Sequence, residues 1–414
     1  MTHQSQRTLG FVTSARSDFG LLRPLIEAAA ADPRLRPVVY ATGMHFSRDH
    51  GYSLGEIIEA GLEPVPVPVE RSGDGALTLA LAIGRGVTAF AEVLSAAPPD
   101  LLVVMGDRYD MMPAVLAALP LTIPVAHLAG GELTEGVIDD AIRHAVTKMS
   151  HLHFPTMPAY ARRLIRLGEE PWRITVTGEP GLDVFRDFRF KTREEVLGEL
   201  GLAPEQPVCV VTLHPETLSP AATGAAIAAL LAAAASCPTQ LVLTYPNADT
   251  GSEIIISAIE AFAAGRSGCR VVPHLGRTRY LHLLHHAACM VGNSSSGIVE
   301  AASFRLPVVD IGQRQGGRLA PGNVLRVPAE ADAIAGAWRL ALSLAFRAGL
   351  AGLINPYGDG RAVPRILERL AEEPLGSRLL VKHFHEDPDP DSGLGKREER
   401  PKDAQILRRP VGIA

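Results

Sequence analysis

The chain has 414 residues, a formal net charge of -5 and 5% aromatic residues. A chain of this length exceeds what a single core usually supports, so we expect two domains of roughly 150 to 200 residues each, with a cleft between them. Neither a basic stripe nor an aromatic stacking platform is present, which argues against a nucleic-acid-binding protein.

The four cysteines, Cys209, Cys237, Cys269 and Cys289, stand far apart and form no C-x-x-C pair. This spacing indicates neither a disulfide framework nor a zinc site, so we predict no bound metal and a reducing, cytoplasmic location. The N-terminus lacks the apolar core of a signal peptide, and the Ala/Leu stretch 222–236 is shorter than the ~20 residues that cross a bilayer. A soluble protein without a membrane partner is expected.

Short apolar runs rich in β-branched residues alternate with segments of helical period along most of the chain. The runs are TLGFVT, PVVYAT, LLVVM, PVAHLA, HLHF and RITVT in the first half, and PVCVVTL, QLVLTY, CRVVP, CMVGN and PVVDIG in the second. This alternation is typical of α/β folds in which helices wrap parallel sheets.

The two series of runs define the expected domains. We place one domain at 1–180, a charged linker at 181–206 and a second domain at 207–355. From Gly376 onward the sequence is highly charged and poor in apolar residues, so 376–414 is expected to be mostly disordered, unless LLVKHF docks on the folded part.

Dinucleotide chemistry is disfavoured by the position of the one G-x-G-x-x-G/A match, residues 84–89. It lies inside a helical pattern, whereas the dinucleotide fingerprint follows a strand. No P-loop motif occurs in the chain. The sequence therefore predicts no nicotinamide or other cofactor.

The segment 105–144 concentrates charged residues where strand-like runs turn into Gly-marked loops. Asp107 and Glu132 each follow such a run, and ligand sites of open α/β sheets lie at the carboxyl ends of strands. Asp139 and Arg143 share one face of a predicted helix, where an ordinary salt bridge is the alternative. Acids that converge in one cleft repel one another, and this gives poised acids and bases.

The second half contains a predicted anion site in MVGNSSSGIVEAA, where a strand, a polar turn and a helix follow one another. Ser294 and Ser295 can offer hydroxyl and backbone N–H groups to a phosphate, although a plain serine N-cap is the alternative. Glu300, one turn further, is either a ribose ligand or an ordinary surface acid.

Several further candidates follow predicted strands. His214 in VVTLHPET and His45 in YATGMHF are each as compatible with a cleft histidine as with a buried capping one. Arg16 in TSARSDFG either binds a ligand or pairs with Asp18. Arg314 and Arg318 either bind phosphate or are solvated, and phosphate binding is slightly favoured.

Taken together in chain order, these motifs resemble those of the hydrolysing UDP-N-acetylglucosamine 2-epimerases of sialic acid biosynthesis. The resemblance covers about residues 8 to 370 and is carried by the segments TSARSDFGLLRP, TGMHF, MGDRYDM, HLAGGELTEGVIDDAIRHAVTKMSHLHF, VTGEPGLD, TLHPET, YPNAD, VGNSSSGIVEA, DIGQRQGGR and NPYGDG. Tyr109, Met111 and Met112 depart from the family pattern after GDR, which should affect only packing.

The resemblance implies a GT-B-like fold with two Rossmann-like, doubly wound domains facing across a central cleft, and a C-terminal helix at 356–375 that crosses back to the first domain. It also implies the reaction. The C2 proton of UDP-GlcNAc is removed, UDP is eliminated, and water adds to the glycal to give free N-acetylmannosamine. A UDP-sugar substrate and a homodimer or homotetramer are implied as well, and no kinase activity is expected.

Site residues are carried over from the family position by position. The catalytic positions match Asp107, Glu132, Asp139 and His214. The positions of the UDP site match Arg16, Ser294, Ser295, Glu300 and Arg314. Supporting positions around the sugar and the cleft match His45, Arg143 and Asn247. The carboxylate that takes the C2 proton is left open among the three acids.

Three alternatives are retained. The nearest is a hydrolysing 2-epimerase of a related 2-acetamido nucleotide sugar, UDP-diacetylbacillosamine or a GDP-linked equivalent on the legionaminic acid route. The second is a non-hydrolysing epimerase, which is disfavoured because GGELTEG and IDDAIR stand where its relatives carry other motifs. The third is a GT-B glycosyltransferase, which would need an acceptor.

Overall fold

The fold consists of two six-stranded, fully parallel sheets, each covered by helices. The computed structural model describes residues 6–46, 53–69, 75–135, 137–216, 220–247 and 251–386. The predicted α/β class with two doubly wound sheets is confirmed. Residues 387–414, most of the predicted disordered tail, lie outside the described part of the chain.

The first sheet has the strand order β3-β2-β1-β4-β5-β6. Its strands are β1 Arg7–Thr13, β2 Leu35–Ala41, β3 Pro64–Pro66, β4 Leu101–Met105, β5 Val125–Leu128 and β6 Leu152–Phe154. Its helices are α1 Arg16–Ala31, α2 Leu54–Glu59, α3 Ala76–Ala96, α4 Met112–Ala118, α5 Asp139–Met149 and α6 Pro158–Arg166. Central strands such as β4 are buried throughout, as helices on both faces of a parallel sheet require.

The second sheet has the strand order β12-β11-β10-β7-β8-β9, which repeats the topology of the first. Its strands are β7 Val208–Thr212, β8 Gln240–Thr244, β9 Cys269–Val272, β10 Cys289–Gly292, β11 Val308–Ile311 and β12 Val324–Val327. The helices after β6 are α7 Arg193–Glu199, α8 Pro220–Ala235, α9 Ser252–Ala263, α10 Gly276–His286, α11 Ser295–Val299, α12 Ala331–Leu342, α13 Leu344–Gly349, α14 Ala362–Glu372 and α15 Ser377–Leu380.

Each sheet changes winding direction at its centre, between β1 and β4 in the first sheet and between β7 and β10 in the second. Helices on opposite faces diverge there, and this leaves a crevice beyond the carboxyl ends of the strands. The loops that follow these four strands begin at Ser14, Gly106, Leu213 and Asn293. They are therefore the loops that should carry a ligand site.

The strand predictions are wrong at three places. RITVT is no strand, since only Ile174 forms an isolated bridge, to His153. The edge strands β3 and β12 were not predicted. β3 has proline at both ends, and proline argues against a strand in a sequence pattern. It is tolerated here because β3 is an edge strand.

Among the described helices of 18 or more residues, α3 is apolar enough to cross a membrane by length and composition alone, and 22% of its most apolar window is buried. Phe90 and Leu94 on one of its faces are fully buried in the hydrophobic cluster beneath the first sheet. The G-x-G-x-x-G/A match at 84–89 lies within this helix, away from any strand end, so it makes no phosphate-binding turn.

The C-terminal segment returns to the first sheet. The apolar face of α14, including Ile366 and Leu370, is buried in the same cluster as α1 and β1. Beyond it, α15 buries Leu379 completely. Within 376–386, Leu379 is thus packed on the first sheet, while most of the other side chains are exposed. The sequence analysis allowed that LLVKHF docks on the folded part, and Leu379 of this segment does so. The charged composition of the longer tail gave no signal for this contact.

Buried charge holds this C-terminal segment in place. The Lys382 ammonium lies 2.7 Å from the fully buried Glu169 carboxylate, which also binds His153 and Lys148. It further donates to the backbone oxygens of Lys148 and Ser150 at 2.8 and 2.6 Å. Burial alone would raise the pKa of Glu169, but the hydrogen bonds from His153, Lys148 and Lys382 outweigh burial and lower it to about 2.

We expect Lys382→Met to lower the free energy of unfolding by about 2 kcal/mol, because the substitution leaves buried oxygens without a donor. The measurement is the denaturant dependence of unfolding at neutral pH. Lys191→Met is the matched control, since its ion pair with Glu199 is exposed and should change the free energy by less than about 1 kcal/mol. Equal effects of the two substitutions would contradict this assignment.

Candidate active site

A cavity of about 550 Å³ lies between the two sheets, where the carboxyl ends of their central strands face each other. It is lined by loops after β1, β4, β5, β7, β8 and β10, as the winding change predicts. Of the twelve residues singled out from sequence, all but His45 line this cavity: Arg16, Asp107, Glu132, Asp139, Arg143, His214, Asn247, Ser294, Ser295, Glu300 and Arg314.

His45 is the exception, and the structure shows the buried position that the sequence had left open beside a cleft position. Its side chain is fully buried, with one ring nitrogen 2.9 Å from the Thr13 hydroxyl and the other 2.8 Å from the Ser53 hydroxyl. Burial lowers the pKa of the ring. His45 therefore supports the cavity wall from behind, through Ser53, instead of facing a ligand.

The first acidic group is Asp107, which follows β4 after the left-handed Gly106. Arg143, whose side chain is only 1% exposed, reaches from α5 to form an ion pair with Asp107. Arg143 also donates to the Thr134 hydroxyl at 3.0 Å, and this hydroxyl lies 3.4 Å from Asp107. The buried Arg143 guanidinium and the Thr134 hydroxyl therefore orient the Asp107 carboxylate at the cavity wall.

The second acid, Glu132, is delivered by the loop after β5. Its carboxylate accepts from the Thr156 hydroxyl at 3.2 Å and lies 3.0 Å from the Arg318 guanidinium. Because Glu132 comes from the first sheet and Arg318 from the second, this ion pair spans the cleft. Burial raises the pKa of Glu132, and Arg318 opposes the rise. Burial thus favours the protonated form of Glu132, and Arg318 favours the ionised form.

Asp139, the first residue of α5, lines the same cavity as Asp107 and Glu132. Three carboxylates thus meet in one cleft. Asp139 and Arg143 both lie on α5, as the sequence predicted. Arg143 forms its ion pair with Asp107. The sequence pattern placed Asp139 and Arg143 on one helix but did not reveal that Asp107 is the partner of Arg143.

His214 directly follows β7 and is 8% exposed. Its Nδ1 accepts the Asn247 backbone N–H at 3.1 Å, and its own backbone N–H donates to the Asn293 side chain at 2.6 Å. Burial lowers the pKa of the ring well below its usual value, and Arg314 and Arg108 add to this effect. The ring is therefore neutral with its proton on Nε2, the tautomer that donates a hydrogen bond.

The turn after β10 forms the opposite wall. Gly292 has a φ of +137°, and an added Cβ would lie 1.8 Å from the Thr212 carbonyl oxygen, so only glycine fits there. Ser294 accepts the Ser296 backbone N–H at 3.4 Å, which realises the N-cap alternative. Both Ser294 and Ser295 nevertheless line the cavity, and Arg314 lies over the turn with its guanidinium 3.1 Å from the Asn293 carbonyl.

The remaining positive groups surround this turn. Arg16 forms an ion pair with Glu56 at 2.8 Å, while Asp18 accepts the backbone N–H groups of Ser14 and Ala15 at 2.8 Å each. The alternative of a local Arg16–Asp18 pair is therefore not what the structure shows. The cavity carries six arginines among its described lining residues, an arrangement suited to a multiply charged anion.

Glu300 lies one turn beyond the serines and is 5% exposed. It accepts the Ser296 hydroxyl at 2.5 Å and forms an ion pair with Arg277. Arg277 also donates to the Gly181 carbonyl at 2.9 Å, which ties the second sheet to the segment after the first. Glu300 is thus a buried, oriented acceptor and not an ordinary surface acid.

Sequence reasoning missed Glu179 and Arg277, and it favoured a phosphate contact for Arg318 without giving its partner Glu132. All three are buried or half-buried lining residues. Glu179 stands in the quoted segment VTGEPGLD, which could have signalled it, whereas nothing in the helical pattern around Arg277 does. Among the described residues, no cluster of three or more His, Cys, Asp or Glu side chains is placed to hold a metal ion.

Two doubly wound sheets that face across a charged cavity define the GT-B-like class of α/β proteins, and solved structures agree with this class. The UDP-GlcNAc 2-epimerase from Neisseria meningitidis bound to UDP-GlcNAc matches with a TM-score of 0.77 and 18% identity, over 88% of this chain and all of that one. A Listeria monocytogenes structure described as a putative UDP-N-acetylglucosamine 2-epimerase matches with a TM-score of 0.74, 20% identity, and coverage of 89% and 96%.

The chain belongs to the UDP-N-acetylglucosamine 2-epimerase family, whose model matches residues 27–371. It is 34% identical to the hydrolysing UDP-N,N'-diacetylbacillosamine 2-epimerase of Legionella pneumophila, over 91% of this chain and 98% of that protein. It is 33% identical to the hydrolysing GDP/UDP-N,N'-diacetylbacillosamine 2-epimerase of Campylobacter jejuni, over 78% and 84%. The resemblance to the hydrolysing branch is confirmed, and the chain is a 2-epimerase.

Proposed function

We propose that this protein is a hydrolysing 2-epimerase that converts UDP-N,N'-diacetylbacillosamine and water into UDP and the free 2-epimeric sugar. The observation that carries the choice of sugar is the identity of 33 to 34% to two proteins named for this substrate. The expectation of UDP-GlcNAc as substrate gives way to its alternative, since a relative named UDP-N-acetylglucosamine 2-epimerase shares 29%.

The cavity supports an elimination. A carboxylate takes the C2 proton, the C1–oxygen bond breaks, and its electron pair leaves with UDP. Asp107, Glu132 and Asp139 line one part of the cavity and supply the groups that exchange protons with carbon and water. The second-sheet wall, with Ser294, Ser295 and the arginines, is suited to the departing diphosphate.

His214 has a role in this scheme that follows from its tautomer. Because Nδ1 is occupied by the Asn247 N–H, the proton on Nε2 can be donated to an oxygen of the leaving phosphate. Water then adds its oxygen to C1 of the glycal while a proton returns to C2 from the opposite face. The atoms balance without oxidation, so the scheme calls on no nicotinamide.

UDP-GlcNAc is the second candidate substrate. It is favoured by the UDP-N-acetylglucosamine 2-epimerase of Neisseria meningitidis, which is 29% identical over 80% of this chain and 87% of that protein. The two candidates differ at C4 and C6 of the sugar, so one enzyme pocket should discriminate between them by about 10 to 100-fold or more.

The experiment is a comparison of kcat/KM for UDP release from the two nucleotide sugars, with no acceptor present. We expect UDP-N,N'-diacetylbacillosamine to be preferred by at least about tenfold. A preference for UDP-GlcNAc would restore the first expectation. UDP release that requires an added sugar acceptor would instead identify a glycosyltransferase.

The proposal includes a cytoplasmic homodimer or homotetramer. A cytoplasmic location is supported by the four described cysteines, all of which are free thiols. The oligomeric state is supported by the family resemblance, and light scattering of the purified protein measures it directly.

A further inference from the structure

Glu179 is a buried acid in the cavity wall that the reaction scheme above does not use. It follows the left-handed Gly178 and begins the 3-10 segment Pro180–Arg186. Its backbone N–H donates to the Tyr357 carbonyl at 2.8 Å, which fixes its position. The residue is 4% exposed, and its side chain lines the cavity.

The carboxyl group of Glu179 is almost unpartnered. Among the described residues, its one hydrogen bond comes from the Gly181 backbone N–H, at 3.5 Å to Oε1, which is at the long limit for such a bond. The described residues include no ion pair to it either. A buried carboxyl group with so few partners is either protonated or completed by hydrogen bonds to a bound ligand.

The charges that face Glu179 favour the protonated form. Burial contributes most to raising its pKa to about 8, and the like charges of Glu132 and Glu300 add to the rise. Arg277 opposes it, but this guanidinium is already shared between Glu300 and the Gly181 carbonyl. Arg318, the other cation that interacts with Glu179, is held by Glu132.

The position of Glu179 indicates the part of a ligand that it meets. Arg277 joins Gly181, two residues beyond Glu179, to Glu300 on the far side of the serine turn. The Leu21 side chain of α1 packs directly on Gly181, so the start of α1 with Arg16 is close as well. Glu179 itself interacts with both the predicted ribose acceptor Glu300 and the acid Glu132, so a diphosphate bound between these two groups would pass its carboxyl group.

We propose that Glu179 is a further ligand-binding residue, which as a neutral carboxylic acid donates its O–H to a diphosphate oxygen of the bound nucleotide. A protonated carboxyl is a donor, whereas the ionised form would set a like charge against the phosphates. This inference rests on the proposed function only in that the cavity holds a nucleoside diphosphate. It makes UDP binding sensitive to pH in the range where Glu179 ionises.

The test is the dissociation constant of UDP, measured by calorimetry about one pH unit below and above 8. If only the protonated form binds, the apparent constant of the wild type rises by about tenfold between these pH values. Glu179→Gln keeps a neutral donor of the same shape, so this variant should bind UDP with little change across the range. Glu27→Gln, on the exposed face of α1, is the matched control and should behave as the wild type.

A Glu179→Gln variant with the pH dependence of the wild type would overturn the inference. Weaker wild-type binding at the lower pH, or no UDP binding at either pH, would also overturn it. UDP binding with the expected pH dependence but without turnover of a nucleotide sugar would remove the proposed function and leave this inference intact. Turnover of a nucleotide sugar without that pH dependence would remove this inference and leave the proposed function intact.

Discussion

Asp107→Asn and Glu132→Gln should each lower kcat by about 10² to 10⁴-fold, the usual contribution of a general acid or base. Both substitutions keep the shape of the side chain but remove a group that can exchange a proton with carbon or water. UDP should still bind, because the serine turn and its arginines are untouched. Initial rates of UDP release and the dissociation constant of UDP measure the two effects separately.

His214→Ala belongs to the same series and should abolish turnover while UDP binding persists. Glu59→Gln is the control for all three variants, since Glu59 is exposed on α2, away from the cavity. Near-wild-type turnover in any of the three would remove that residue from the proposed catalytic group.

Arg318→Met should have the second large effect, because it leaves the buried Glu132 without its cation. Removing one partner of a buried ion pair costs about 3 to 5 kcal/mol of unfolding free energy. The pKa of Glu132, already raised by burial, should rise further once the opposing charge is lost. The limb of the kcat/KM profile that Glu132 controls should therefore move to higher pH, and kcat should fall.

The control for this substitution is Arg339→Met on the exposed side of α12, which should change stability by less than about 0.5 kcal/mol. Denaturant unfolding and a pH profile of kcat/KM are the two measurements. Loss of stability with an unchanged pH profile would show that Arg318 only joins the two sheets and does not set the protonation of Glu132.

The sequence was most informative where strand ends meet polar turns. Asp107, His214 and Ser294 each lie two residues beyond the end of β4, β7 or β10, so the local pattern placed each of them near a carboxyl end and the sheet topology then brought them together. Such residues are predictable because a strand fixes the direction of the chain up to its last residue.

The contacts that complete the site join residues far apart in sequence, so the local sequence pattern could not predict them. Glu132 and Arg318 are far apart in sequence and meet only because the two sheets face each other. The same holds for Arg277, which bridges Glu300 and Gly181. The position of His45 could not be decided from sequence for a related reason, since its hydroxyl partners Thr13 and Ser53 come from two other segments.

A proton NMR time course in deuterated water, with UDP-N,N'-diacetylbacillosamine and no acceptor or cofactor, tests the central claim most directly. It follows the C1–oxygen bond and the C2 site together. The account predicts UDP and a free sugar that is inverted at C2 and carries deuterium there. A product that remains linked to UDP, or a free sugar that retains its original C2 proton, would contradict elimination followed by hydration.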